Sequence, residues 1–66
     1  MNQVLIANRL KAYRGSMTQK EVADAVGVTA MAISQYEKGE RIPRDDVKVK
    51  IAKLYNKSVD EIFFAE

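Results

Sequence analysis

The chain has no cysteine, no histidine and no tryptophan, and it has one proline. Without cysteine there is no disulfide, and without cysteine or histidine the commonest zinc ligands are missing. Both devices that small folds use to reinforce a thin core are excluded, which leaves close helix packing or dimerisation. The same absences fit a reducing, cytoplasmic setting. They also remove histidine, the most frequent general acid and base, and the cysteine nucleophile, which disfavours catalysis, and the three glycines are too scattered to form a phosphate-cradling loop. Asp45 and Asp46 are adjacent, and neighbours in sequence do not face each other on a helix, so a helix start explains them better than acid and base chemistry. No apolar run approaches the roughly 18 residues of a membrane span, and "MNQVLIANRLKAYRG" lacks the unbroken apolar centre of a signal peptide. The expectation is a protein that is not an enzyme, with no cofactor, no metal, no membrane and no small-molecule substrate.

The 66 residues make one domain, 1–66, because a chain this short hides only about 60% of the surface its unfolded form exposes. Net charge is +2, from 11 Lys and Arg against 9 Asp and Glu, and this alone says little about partners. The distribution says more. Arg9, Lys11, Arg14 and Lys20 fall in a stretch without acids, and Lys38, Arg41 and Arg44 cluster around Pro43.

Periodicity predicts helix throughout. Ile6, Leu10 and Tyr13 form one apolar stripe over residues 2–14, closed by Gly15. In "MTQKEVADAVG", Thr18 and Glu21 make a capping box, Met17 is placed to staple against Val22, and Val22, Ala23 and Val26 are buried over residues 19–26. Thr29 caps a third helix that buries Ile33 and Tyr36 and ends at Gly39. Pro43 fits a turn or the first position of a fourth helix over about residues 44–56. There the acids suit the helix dipole, and Val47, Ile51, Leu54 and Tyr55 share one face. Ser58 caps a last short helix around Val59, Ile62 and Phe63. The fold class is all-α, a compact five-helix bundle. Two short helices joined at Gly27, with small Ala23 letting them approach, describe a helix-turn-helix at residues 18–38.

The run "TQKEVADAVGVTAMAISQYEKGERIP", continued by "IAKLYNKSVDEIF", resembles the Cro/C1-type (XRE) helix-turn-helix regulators over residues 6–63. That resemblance implies a lambda repressor-like domain whose third helix lies in the major groove of double-stranded DNA while the second crosses the backbone, the docking geometry for which such repressors are the standard example. It further implies that Gln19 bonds a phosphate and that Ala30, Met31 and Gln35 face bases. Lys38, Arg41 and Arg44 reach the backbone, and Ser34 touches either bases or backbone. Arg14 and Glu37 match a structural ion pair that clamps the first helix to the third. The chain departs from the family pattern in its "GSM" connection, about two residues shorter than in many relatives, and in its apolar reading positions. Small and apolar side chains there let the helix approach and meet thymine methyls, whereas Gln35 can bond adenine N6 and N7.

A single module binds DNA weakly, and a symmetric dimer on a palindromic operator is the usual remedy. Phe63 and Phe64 are consecutive and cannot both face one small core, so Ile62, Phe63 and Phe64 are the candidate homodimer surface. The reading that results is a sequence-specific transcriptional regulator, with repression by occupying operator DNA as the simplest mechanism for so short a chain. The competing reading is a protein-interaction module of the same fold, of antitoxin or anti-repressor type. The basic cluster together with Gln19 and Gln35 favours DNA.

Overall fold

The computed structural model describes residues 2–66. Helix α1 spans Gln3–Arg14, and Asn2 is its cap rather than its first residue, its side-chain oxygen accepting the Val4 and Leu5 N–H groups at 3.0 and 3.1 Å. Helix α2, Gln19–Val26, opens with the expected reciprocal box. Thr18 N donates to Glu21 Oε1 at 2.8 Å and Glu21 N donates to Thr18 Oγ1 at 3.0 Å, which satisfies two of the orphan donors at a helix start. Met17 packs against the core, as a staple would.

Gly27 ends α2 in the left-handed region, φ 76° and ψ 34°, and its N–H donates to Ala23 O at 2.9 Å. An L side chain is disfavoured in that region, so glycine sets the sharp corner into α3, Ala30–Glu37, which Thr29 caps by accepting the Ala32 N–H at 3.1 Å. Helix α4 covers Asp45–Tyr55, one residue shorter at each end than the periodicity predicts. Pro43 is buried in the turn ahead of it, and Arg44 stands at the N-cap without a side-chain bond.

The last element, Asp60–Phe64, is a single π-helical turn in which Ala65 N donates to Asp60 O at 2.8 Å. Ser58 and Glu61 cap its approach reciprocally, at 2.9 and 3.0 Å. The Ser58 N–H, with its hydroxyl, holds the Glu61 carboxyl below the usual carboxylate range.

One core fills the space between these elements. Ile6 and Leu10 come from α1, Val22, Ala23 and Val26 from α2, Ala32, Ile33 and Tyr36 from α3, Val47, Ile51 and Ala52 from α4, and Ile62 and Phe63 from the terminal turn. Leu54 and Tyr55 pack at its edge. Ile62 and Phe63 are 0% and 1% exposed, which corrects the expectation that they form a dimer surface. Both side chains face the core from this turn, and Arg9 Nη1 fixes the turn to α1 by donating to Ile62 O at 3.2 Å. Phe64 alone of the three remains outside, 51% exposed.

Lys48 is a charged member of this interior, 7% exposed. Its ammonium lies 5.6 Å from the Phe63 ring centre and 5.5 Å from that of Phe64, and it donates to Asp45 Oδ1 at 3.4 Å. Its aliphatic stem lies in the apolar interior while the ring faces and one carboxylate receive the charge, which is how a lysine can be buried without being orphaned. Among the described residues no helix is long and apolar enough to cross a membrane.

Candidate nucleic-acid interface

Helix α3 has two faces of opposite character. Ala32, Ile33, Tyr36 and Glu37 are buried. On the other side Ala30 and Lys38 are exposed, Met31 is 71% exposed, and Ser34 and Gln35 are half-buried. Positions 30, 31, 34, 35 and 38 follow the helical repeat, so they form one continuous outward stripe. A methionine this exposed near the first turn is not explained by packing. It gives the helix an apolar leading edge, with a neutral amide behind it and a cation at the far end.

The basic residues beyond α3 are held in different ways. Among the described residues Lys38 has no ion-pair partner. Arg41 lies over the Tyr36 ring at 5.9 Å. Arg44 Nε sits 3.6 Å from Asp46 Oδ1 with both side chains well exposed, and a pair so hydrated contributes only about 0–1 kcal/mol, so the guanidinium is readily released to another anion. Arg41 and Arg44 border a cleft of ≈ 250 Å³ whose floor is Ala32, Tyr36 and Val47.

Behind the stripe, Glu37 is the centre of a polar knot. Arg14 embraces its carboxylate with two bonds, Nε to Oε2 at 2.7 Å and Nη2 to Oε1 at 3.1 Å, and donates a third from Nη1 to Met17 O at 2.8 Å. Glu37 raises the Arg14 pKa above its ordinary value, chiefly through these bonds. Gln19 joins the same group, its Nε2 donating to Glu37 Oε1 at 3.1 Å. The residue expected to address a phosphate thus has one of its two amide hydrogens already committed within the protein. Gln19 opens α2 and Glu37 closes α3, the two outer ends of the helix-turn-helix, so the sequence carries no local signal of this link.

Tyr55 packs beside the knot. Burial, then the nearby Glu37 carboxylate, push its hydroxyl up to about 12 from an ordinary 10.0, with Arg14 opposing. The folded-state value is raised, so the stabilisation is whole below the unfolded value near 10 and is lost as pH rises toward about 12. Urea titrations of the wild type and Tyr55→Phe across that window should show the wild type losing stability more steeply. Parallel curves would mean that the phenol feels neither burial nor carboxylate.

These contacts arrange a helix-turn-helix with its second helix presented outward, and comparison with known proteins agrees. A helix-turn-helix family model matches residues 10–62. An uncharacterized HTH-type transcriptional regulator of Methanocaldococcus jannaschii is 36% identical over 61 residues, covering 89% of this chain and 92% of that one. The cryptic phage CTXphi transcriptional repressor RstR of Vibrio cholerae is 37% identical over 57 residues, 86% of this chain but 49% of the repressor, so the chain spans about half of that protein's length. The crystal structure of the P22 c2 repressor protein in complex with synthetic operator 9T superimposes with a TM-score of 0.89 at 28% identity, covering 94% of this chain and 97% of that one. The chain belongs to the Cro/C1-type helix-turn-helix family of DNA-binding transcription regulators, which are not enzymes.

Proposed function

We propose that the protein is a repressor that binds a palindromic operator as a homodimer, with α3 of each copy in the major groove. The observation that carries this reading is the outward stripe of α3, above all the exposed Met31 beside Ala30. In the groove these two meet thymine methyls, Gln35 bonds adenine, and Ser34 reaches a base edge or the adjoining sugar-phosphate. Gln19, Lys38, Arg41 and Arg44 contact phosphates on either side. Likeness to P22 c2, a repressor seen with a synthetic operator, supports the reading. Two-fold pairing is assigned to the C-terminal end, where Phe64 is the aromatic side chain left exposed.

Selection of bound duplexes from a random pool tests this directly, and the recovered sites should be two-fold symmetric and rich in A·T at the α3 positions. On the selected site, Gln35→Ala should relax preference at one base pair of each half-site, a bidentate amide contact being worth roughly 1–3 kcal/mol of discrimination. Lys38→Ala should weaken all sequences alike and reduce the salt slope by about 0.9 for each phosphate released. Uniform loss in both variants would remove Gln35 from the reading surface, and a pool without enrichment would reject the function itself.

A further inference from the structure

Gln19 poses a problem for the backbone contact assigned to it. A side-chain amide has two donors on nitrogen and an acceptor oxygen, whereas a phosphate only accepts. An unrestrained glutamine at a helix start presents either end, and the oxygen end repels the phosphate. Here the choice is already made. Gln19 Nε2 donates to Glu37 Oε1 at 3.1 Å, Gln19 is half-buried, and its second amide hydrogen has no partner among the described residues. The glutamate can do this without placing an uncompensated negative charge behind the interface, because Arg14 covers both of its oxygens, at 2.7 and 3.1 Å.

We infer that Glu37 is a positioning residue for DNA binding: buried on the inner face of α3, it anchors one Nε2 hydrogen of Gln19 and thereby aims the other at a phosphate oxygen. This rests on the reading of the chain as an operator binder with Gln19 at the backbone. Glu37 touches no DNA in this arrangement. A carboxylate suits the task because it accepts only, so it selects the nitrogen end of the amide, and because its second oxygen keeps the Arg14 bond while the first is shared. Arg14, Glu37 and Gln19 connect α1, α3 and α2 in turn, so the clamp that holds the helices together also presets a donor.

The test is a double-mutant cycle on a duplex selected by the wild-type chain, at fixed salt. Gln19→Ala and Glu37→Gln should each weaken binding about five- to tenfold, the effect of one lost hydrogen bond. The double variant should be little worse than either, and base preference and salt slope should not change, since no cation is removed. Circular dichroism at the assay temperature establishes that each variant is folded. A second measurement needs no variant. In nitrogen-correlated spectra of the wild type, adding duplex should shift one Gln19 Nε2 proton strongly and leave its partner nearly in place.

Multiplicative losses in the cycle would overturn the inference, as would wild-type affinity in Gln19→Ala or two Nε2 protons indifferent to duplex. Failure of the wild type to bind any duplex is a different outcome, because it rejects the operator reading on which the inference stands.

Discussion

Arg14→Met is expected to destabilise the domain by about 3–5 kcal/mol, the usual effect of removing one partner from a buried ion pair. The side chain of Glu37 is 3% exposed and that of Arg14 20%, so the two ends of the pair are unequal. Deleting the arginine leaves a nearly inaccessible carboxylate with no cation and only the Gln19 amide as donor, and also leaves Met17 O without its Arg14 donor. Deleting the glutamate strands a guanidinium that is one-fifth exposed and on a long stem, free to swing into solvent. Glu37→Leu should therefore cost less, about 1–3 kcal/mol, the range for a hydrogen bond to a charged group. A chain of 66 residues has only about 3–10 kcal/mol of total stability at roughly 0.05–0.15 kcal/mol per residue. Arg14→Met can thus bring the protein close to unfolding, with a melting temperature lower by at least about 12 °C at 4–8 °C per kcal/mol. The double variant Arg14→Met/Glu37→Leu, in which neither charge remains, should recover much of the loss. Equal urea midpoints for Arg14→Met and Glu37→Leu would contradict the asymmetry.

Phe63→Ala and Phe64→Ala should behave as opposites although the residues are neighbours. Phe63 is fully enclosed, and truncating it removes transfer energy and leaves a cavity, a loss of about 3–5 kcal/mol. It would also deprive Lys48 of one of its two ring faces. Phe64 is half-exposed, and its truncation should leave the urea midpoint within about 1 kcal/mol, the magnitude of an exposed cation-π contact. If Phe64 pairs two copies, sedimentation of Phe64→Ala should show monomers at concentrations where the wild type is dimeric, with weaker binding to a two-half-site duplex. A wild type that sediments as a monomer on its selected site would remove the pairing role.

What the sequence revealed, and what it hid, follows from how local each determinant is. The Thr18 and Glu21 box and the Thr29 cap lie within one turn of the groups they bond, so spacing alone predicts them. On α3 the spacing predicted only the inward Ile33 and Tyr36; the outward positions 30, 31, 34 and 35 rested on the family resemblance, and their exposed or half-buried state is consistent with it. The ends of α1 and α4 shifted by one residue because a cap and a first helical residue look alike in sequence. The terminal segment misled more seriously. The adjacent Phe63 and Phe64 announced one inward and one outward aromatic, but the grouping of Ile62 and Phe63 with the outward one failed, because the core encloses both and leaves Phe64 alone outside.

Lys48 was hidden because charge usually means surface. Its spacing to Ile51, Ala52 and Tyr55 nevertheless lies on the buried stripe of α4, and that periodicity was the available signal. The Gln19 bond to Glu37 joins residues 18 apart in sequence, a separation at which no periodic pattern speaks.

The two-faced character of α3 has an evolutionary consequence. Side chains at 30 and 31 project from a backbone whose position is already secured by Ile33, Tyr36 and Glu37 from the opposite side, so exchanging them disturbs no packed neighbour. If α3 reads the operator as proposed, lineages carrying this scaffold can drift to new target sites through changes at a few outward positions while the interior stays under separate selection.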